Sequence, residues 1–455
     1  MRISVLGLGK LGSPLAAVLA DCGHDVIGVD TRPETVALLE QGLAPVAEPQ
    51  LQDLISRNRA RLRATTDAAA AAAASDVTVI IVPTPSTPSG TFSLDFVRDA
   101  VTNVGRGLRQ SSAYHVVAVT STVAPLSMER EILPLLEQAS GRAVGDSIGL
   151  CYSPEFIALG SVIHDMRHPD FVLIGQSDDR AGALFESVQR SMVGNTVPVR
   201  RMSLTNAELA KLAVNTFVTT KISYANMLAE LCERLPGADV DVVTEAIGND
   251  RRIGHRYFKG TVGYGGPCFP RDNVAFCAVA ASVGLTADLA EATDTVNRRQ
   301  PARLAAFVRA QCDERGSRIG ILGLSYKPGT HVVEESQALQ LTNQLAREGM
   351  AVVAYDPAAA AEAEPHLAPG VHLAESLAEV LARADVIVVA VPWQEFIELP
   401  TMLERAPRRP RTVIDCWRLL DPRQLGDDIT VVYPGRKEAR AVPDALSTGA
   451  DANGR

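Results

Sequence analysis

The apolar run Ile3–Leu6 leads directly into Gly7-Leu8-Gly9-Lys10-Leu11-Gly12, and a helical pattern follows over Pro14–Ala20. Few sequence features restrict a fold as strongly. Glycines at the first, third and sixth positions permit a tight turn, close approach of the backbone to a ligand, and close packing of helix on strand. The next apolar run, Val26–Val29, ends on Asp30, 23 residues after Gly7. A carboxylate there accepts hydrogen bonds from a ribose diol while pyrophosphate rests on the helix N-terminus. The pattern predicts a dinucleotide site built from Gly7, Gly9, Leu11, Gly12 and Asp30, with Arg32 beside it. Because Asp30 would repel a 2′-phosphate, the expected cofactor is NAD rather than NADP.

The strand-helix alternation continues through Val77–Val82, Val116–Thr120, Ile148–Tyr152 and Phe171–Ile174, and the alanine run at 68–74 reads as helix. Two loops leave strands at the same sheet edge, Pro83-Thr84-Pro85 and Ser121-Thr122-Val123. Hydroxyls of Thr84 and Thr122 either contact the cofactor or close ordinary serine/threonine turns. From Ser203 to Glu233 the pattern is helical without interruption. A helix of that length spans roughly 40 Å and reads as a connector that can also pack against a second copy of the chain. At Arg318 the alternation restarts. IGILGLSYKPG near 319 resembles ISVLGLGKLG near 3, and a strand ending in Asp356 follows it as Asp30 follows the first. Further strands are expected at Val352–Tyr355, Val386–Val391 and Val413–Ile414. The expected fold is α/β: two Rossmann-like parallel-sheet domains joined by a long central helix and a helical region. The boundaries fall at 1–202, 203–310 and 311–440, with a tail at 441–455.

Composition narrows the function classes. The chain has 455 residues, and its 44 basic against 53 acidic side chains give −9. That balance argues against binding nucleic acid over a broad surface. No apolar run approaches a membrane span, and the N-terminus enters a strand pattern without a secretion signal, so a cytoplasmic location is expected. The seven cysteines form no CxxC pair and read as free thiols. His164 and His168 have a helical metal-ligand spacing, but HDMRHPD supplies no third ligand, and no metal is expected.

The stretch Val262-Gly263-Tyr264-Gly265-Gly266-Pro267-Cys268-Phe269-Pro270-Arg271-Asp272 is the most informative for chemistry. Three glycines bring backbone close to a ligand, and Cys268 comes just as a helical pattern resumes. A thiol near a helix N-terminus and basic residues becomes a usable nucleophile; a small buried hydrophobe is the alternative. If the helix starts near Cys268, Asp272 lies one turn on. On the long helix, Lys211 and Asn215 share a face that either stabilises an oxyanion or is simply solvated.

GLGKLGSPLA, VPTP, STVAP, CYSPEFIALG, AELAKLAVNTF, GYGGPCFPRD, GLSYKPGT and YDP occur here in the order found in the UDP-glucose/GDP-mannose dehydrogenases. The chain resembles that family over roughly residues 1–435. The resemblance implies an N-terminal NAD domain, a central helical dimerisation region and a C-terminal nucleotide-sugar domain. It implies oxidation of a hexose C6 alcohol to a carboxylate with two NAD per turnover, and a self-associating enzyme acting on a nucleotide sugar. Cys268 would carry the thiohemiacetal and thioester, Lys211 and Asn215 would stabilise oxyanions, Asp272 would act as or orient a base, and Thr122 would hold a water. By the same resemblance, Glu155 would lie near the substrate with Phe156 beside it. Arg252, Tyr257, Lys259, Gly265 and Arg418 complete the implied substrate site, with Lys327 at sugar, diphosphate or cofactor. The sequence departs from the family at Leu159, where a second Glu is usual in the UDP-glucose branch, and at Glu334, where an Arg is typical. The implied substrate is UDP- or dTDP-glucose, with a UDP-N-acetylmannosamine-type sugar as the alternative, and a non-catalytic nucleotide-binding scaffold as a distant third.

Overall fold

The computed structural model describes residues 1–157, 160–313, 316–406 and 412–438. Leu159 and the tail 441–455 lie outside them. The chain divides into two compact units, Met1–Thr216 with Arg271–Ala290, and Phe217–Pro270 with Glu291–Arg455.

The first unit is organised on strands β1 (Arg2–Leu6), β2 (Asp25–Val29), β3 (Leu62–Thr65), β4 (Val77–Ile80), β5 (His115–Val119), β6 (Ile148–Tyr152), β7 (Val172–Gln176) and β8 (Val199–Ser203). Their order is β3-β2-β1-β4-β5-β6-β7-β8. The sheet is parallel as far as β6; β7 then pairs antiparallel with β6, and β8 parallel with β7. β4, β5 and β6 are buried throughout. They are therefore continuous apolar runs, as strands covered on both faces must be. Strand order reverses between β1 and β4, and the Gly7 turn leaves β1 at that point, where open α/β sheets bind ligands. The alanine helix Ala68–Ala73 starts where the Asp67 carboxylate accepts from the Ala70 N–H at 2.9 Å.

The second unit carries β9 (Arg318–Leu322), β10 (Ala351–Tyr355), β11 (His372–Leu373), β12 (Val386–Val389), β13 (Thr412–Asp415) and β14 (Thr430–Val432). Their order, β11-β10-β9-β12-β13-β14, repeats that of the first six strands, and all pairs are parallel. The resemblance between the two glycine turns thus reflects two copies of one topology. The long helix, Leu204–Cys232, contributes residues to both units.

Candidate active site

The turn after β1 is built for a dinucleotide. Gly7 has φ +100°, and a Cβ there would lie 2.5 Å from the Ile81 carbonyl oxygen. A Cβ on Gly12 would lie 1.7 Å from the Gly7 oxygen, so no larger residue fits. Gly9 differs: nothing lies within 4 Å of its Cβ position, leaving the backbone open to a ligand. At the end of β2, the Asp30 carboxylate accepts from the Leu8 N–H (2.9 Å) and from the Arg32 N–H (2.9 Å) and Nε (3.2 Å). Burial raises its pKa, but these hydrogen bonds outweigh that and hold it below the ordinary value. Leu11 is half-buried where the helix begins, and Thr84 is buried in the loop after β4. Ser121 Oγ donates to the Val82 carbonyl (2.7 Å), tying the loop that carries Thr122 to the neighbouring loop. These residues fit NAD.

Still within the first unit, one face of Leu204–Cys232 reaches three other segments. Lys211 Nζ donates to the Glu155 carbonyl oxygen at 2.6 Å and lies 4.6 Å from the centre of the Phe156 ring. Asn215 Nδ2 donates to Asp272 Oδ2 at 2.6 Å, and Arg271 holds the other oxygen of Asp272. Glu208, a turn before Lys211, accepts from the backbone N–H groups of Leu126 and Met128, each at 2.8 Å. Lys211, Asn215 and Asp272 are all buried. The polar face of this helix is therefore desolvated and paired, which excludes the solvated-face alternative. Burial pushes the Glu155 carboxyl up to about 7, with Lys211 pulling the other way. A carboxyl so poised exchanges protons near neutral pH.

The second unit holds the thiol. Cys268 directly precedes the helix Phe269–Ser282, and Asp272 lies in that helix's first turn. Alone among the seven cysteines, Cys268 is exposed. Burial raises the pKa of Cys22, Cys151, Cys232, Cys312 and Cys416. Cys268 thus stands apart as the accessible thiol, at a helix N-terminus, where the positive end of the helix dipole favours negative charge. The loop before it is fixed by Asn297, whose side chain accepts from the Tyr264 N–H (2.8 Å) and donates to its carbonyl (3.0 Å). Gly266 N–H donates to the Glu334 carbonyl at 3.0 Å, and a Cβ on Gly266 would strike the Tyr326 ring at 2.5 Å. A Cβ on Gly265 would lie 2.2 Å from the Glu335 oxygen. Glu334 thus supports the thiol loop through its backbone, while its side chain is exposed.

The remaining expected substrate residues also belong to this unit. Lys327 follows Tyr326, with Nζ 5.8 Å from that ring's centre. Arg252 is highly exposed and forked onto Asp250 (2.6 Å). Tyr257, at φ +59°, sets its ring edge-on to Phe269. Lys259 lines a cavity of about 460 Å³ with Asp241, Glu245, His255 and Phe258. Arg418 is held by Asp239 (3.2 Å) and Asp241 (3.0 Å) and stacks on Tyr433. His164 and His168 stack on one another, and among the described residues no three metal-ligating side chains converge.

Three groups escaped the sequence reading: Glu208, Asn297 and Tyr326. Only Glu208 carried a signal, its spacing of three and seven residues from Lys211 and Asn215.

Three consecutive family models cover most of the chain. The NAD binding domain of the UDP-glucose/GDP-mannose dehydrogenase family matches residues 1–193, its central domain 205–299 and its UDP binding domain 320–422. The chain belongs to the UDP-glucose/GDP-mannose dehydrogenase family. The UDP-glucose 6-dehydrogenase AglM of Haloferax volcanii is 38% identical over 93% of this chain and 98% of its own. A UDP-glucose dehydrogenase structure from Pyrobaculum islandicum superposes with a TM-score of 0.83 at 33% identity, covering 96% of this chain and 98% of that one. A UDP-D-ManNAc dehydrogenase from Pyrococcus horikoshii gives 0.79 at 26% identity, over 96% and 100%. This dehydrogenase is accordingly an NAD-dependent oxidoreductase of nucleotide sugars. No helix among its described residues is long and apolar enough to cross a membrane.

Proposed function

We propose that the enzyme oxidises C6 of UDP-glucose to the carboxylate through a covalent intermediate on Cys268. The observation that carries this reading is the single exposed thiol, set at a helix N-terminus behind a glycine loop. An aldehyde has no hydride to give until a nucleophile adds to it, so a four-electron oxidation needs such a group. NAD, held along the Gly7–Gly12 turn and at Asp30, supplies the hydride acceptor for both oxidations when bound.

The protein's own groups do the rest. A base takes the C6 hydroxyl proton in the first oxidation, and Asp272 or Glu155 fills that role. The Cys268 sulfur then bonds to the aldehyde carbon, and the carbonyl oxygen takes a proton to give a thiohemiacetal. Lys211 and Asn215 stabilise the oxyanions on that path. Loss of the second hydride and the hydroxyl proton leaves a thioester. Water, held by Thr122, adds to the acyl carbon. The C–S bond breaks, its electron pair returns to sulfur, and the carboxylate is released.

The base and sugar assignment rests on the UDP binding domain and on relatives named for UDP-glucose. NADH formed per sugar consumed tests both parts, with UDP-glucose, dTDP-glucose and UDP-N-acetylmannosamine compared side by side. UDP-glucose should be oxidised fastest and yield two NADH. A ratio of one would remove the covalent role of Cys268, and a faster rate with the amino sugar would move the substrate to that branch.

We also propose a homodimer. Phe217, Tyr224, Met227 and Leu231 are exposed on the long helix at 64%, 48%, 43% and 52%. Their spacing of seven, three and four residues is that of a helix-pairing seam. Light scattering at micromolar concentration should give about twice the 48.4 kDa of one chain, and Phe217→Glu should lower it. A monomeric parent protein would overturn the assignment.

A further inference from the structure

Glu208 is fully buried, and both of its carboxylate oxygens are engaged by backbone N–H groups, Oε2 by Leu126 and Oε1 by Met128. Those donors lie in the chain that leaves β5, after Thr122 and at the start of the short π-helical turn Met128–Ile132. Leu126 sits at φ +74°. A non-glycine residue in that region is strained by roughly 1–3 kcal/mol and persists only where its surroundings hold it. Ahead of Thr122, Thr120 N–H donates to the Ile80 carbonyl and Ser121 Oγ to that of Val82. Thr122 therefore lies between two tethers, one on the neighbouring strand and one on Glu208.

Burial holds the Glu208 carboxyl up to about 7, and the charge of Glu129 adds to that, while the backbone donors oppose it. A buried acid is an expensive way to cap one turn of helix when a serine or threonine would do. What distinguishes this acid is its helix face. Glu208, Lys211 and Asn215 fix, in turn, the loop after β5, the loop after β6, and Asp272.

We propose that Glu208 is a positioning residue for the hydrolytic half of the reaction: by holding Leu126 and Met128 it fixes the loop that carries Thr122, the residue to which the hydrolytic water is assigned above. The inference rests on the covalent route proposed above. In Glu208→Gln the amide oxygen still accepts one N–H, but its NH₂ group faces the other, donor against donor. The oxidative steps do not use this water. NAD binding should be retained, and a first burst of two NADH per site should form at close to the parent rate. Steady turnover should then fall by about 10- to 100-fold, the scale of loss when a reacting group is misplaced by about 1 Å. The sugar-nucleotide thioester on Cys268 should accumulate in intact mass spectra, and hydroxylamine, which cleaves thioesters without a positioned water, should restore turnover.

Thr122→Ala should behave alike, and the double variant should lose little beyond either single one. If Glu208→Gln does not fold, Glu208→Asp, which withdraws the carboxylate by one methylene, takes the same tests. A slowed burst without adduct or hydroxylamine rescue would leave Glu208 a structural cap and overturn the proposal. So would unchanged steady turnover. Should Cys268→Ser turn over at the parent rate, the covalent route itself fails and the positioning role falls with it.

Discussion

Replacing Cys268 by Ser should slow steady oxidation of the nucleotide sugar by at least about a hundredfold, corresponding to roughly 2.7 kcal/mol of transition-state stabilisation. The hydroxyl keeps the position but is far less nucleophilic than a thiolate at neutral pH. Because Cys268 is exposed, the substitution removes no core packing, and thermal stability should change by no more than about 0.5 kcal/mol. The first oxidation needs no sulfur, so bound aldehyde or a slowly hydrolysing ester should be trapped and seen by intact mass spectrometry. Cys22→Ser, on a half-buried and unrelated helix end, should turn over normally. Parent-like turnover in Cys268→Ser would end the covalent mechanism. Matching losses in the two variants would trace the effect to general destabilisation.

Asp30→Ala should move the coenzyme preference toward NADP, raising the NADP-to-NAD ratio of kcat/KM by about 100-fold. Two changes act in one direction. The ribose of NAD loses a charged acceptor, a contact worth about 1.5–3 kcal/mol. The Arg32 guanidinium, 62% exposed and now held by Asp30, is released to meet a 2′-phosphate. Initial rates with both coenzymes read the shift, and adding Arg32→Ala should abolish the gain with NADP while leaving the loss with NAD. An unchanged ratio in Asp30→Ala would mean that the end of β2 does not touch the ribose.

The elements that could be read in advance are those whose burial is complete. β4, β5 and β6 are covered on both faces, and their apolar runs announce them. The missed strands are edges. β3 is LRAT with one buried side chain, β8 is VRRMS with none, and β11 and β14 are two and three residues long. A strand paired on one side and wet on its faces carries no periodic apolar pattern. The site divided in the same way. Spacing placed Lys211 and Asn215 on one helix face, but their partners are a backbone carbonyl 56 residues away and a carboxylate 57 residues away. Glu208 offered only its spacing, since the backbone N–H groups it binds have no residue type to recognise. Motif order grouped Lys211, Asn215 and Asp272, and the Asn215–Asp272 contact is of a kind that local pattern does not encode.

Asp356 ends β10 as Asp30 ends β2, yet it is saturated. Its carboxylate accepts from Leu324 and Ser325 N–H, Ser325 Oγ and Trp393 Nε1 on one oxygen, and from Ala358 and Ala359 N–H on the other. Where the first lobe has Gly9 open to solvent, the second has Ser325, fully buried with its hydroxyl on Asp356. Six donors leave no lone pair for a ribose diol, so this lobe does not clasp a nucleotide as the first one does. On the proposed route both oxidations must then draw on one groove, which has to be emptied and refilled while the half-oxidised sugar stays with the enzyme. The residence time of the sugar must outlast a coenzyme exchange.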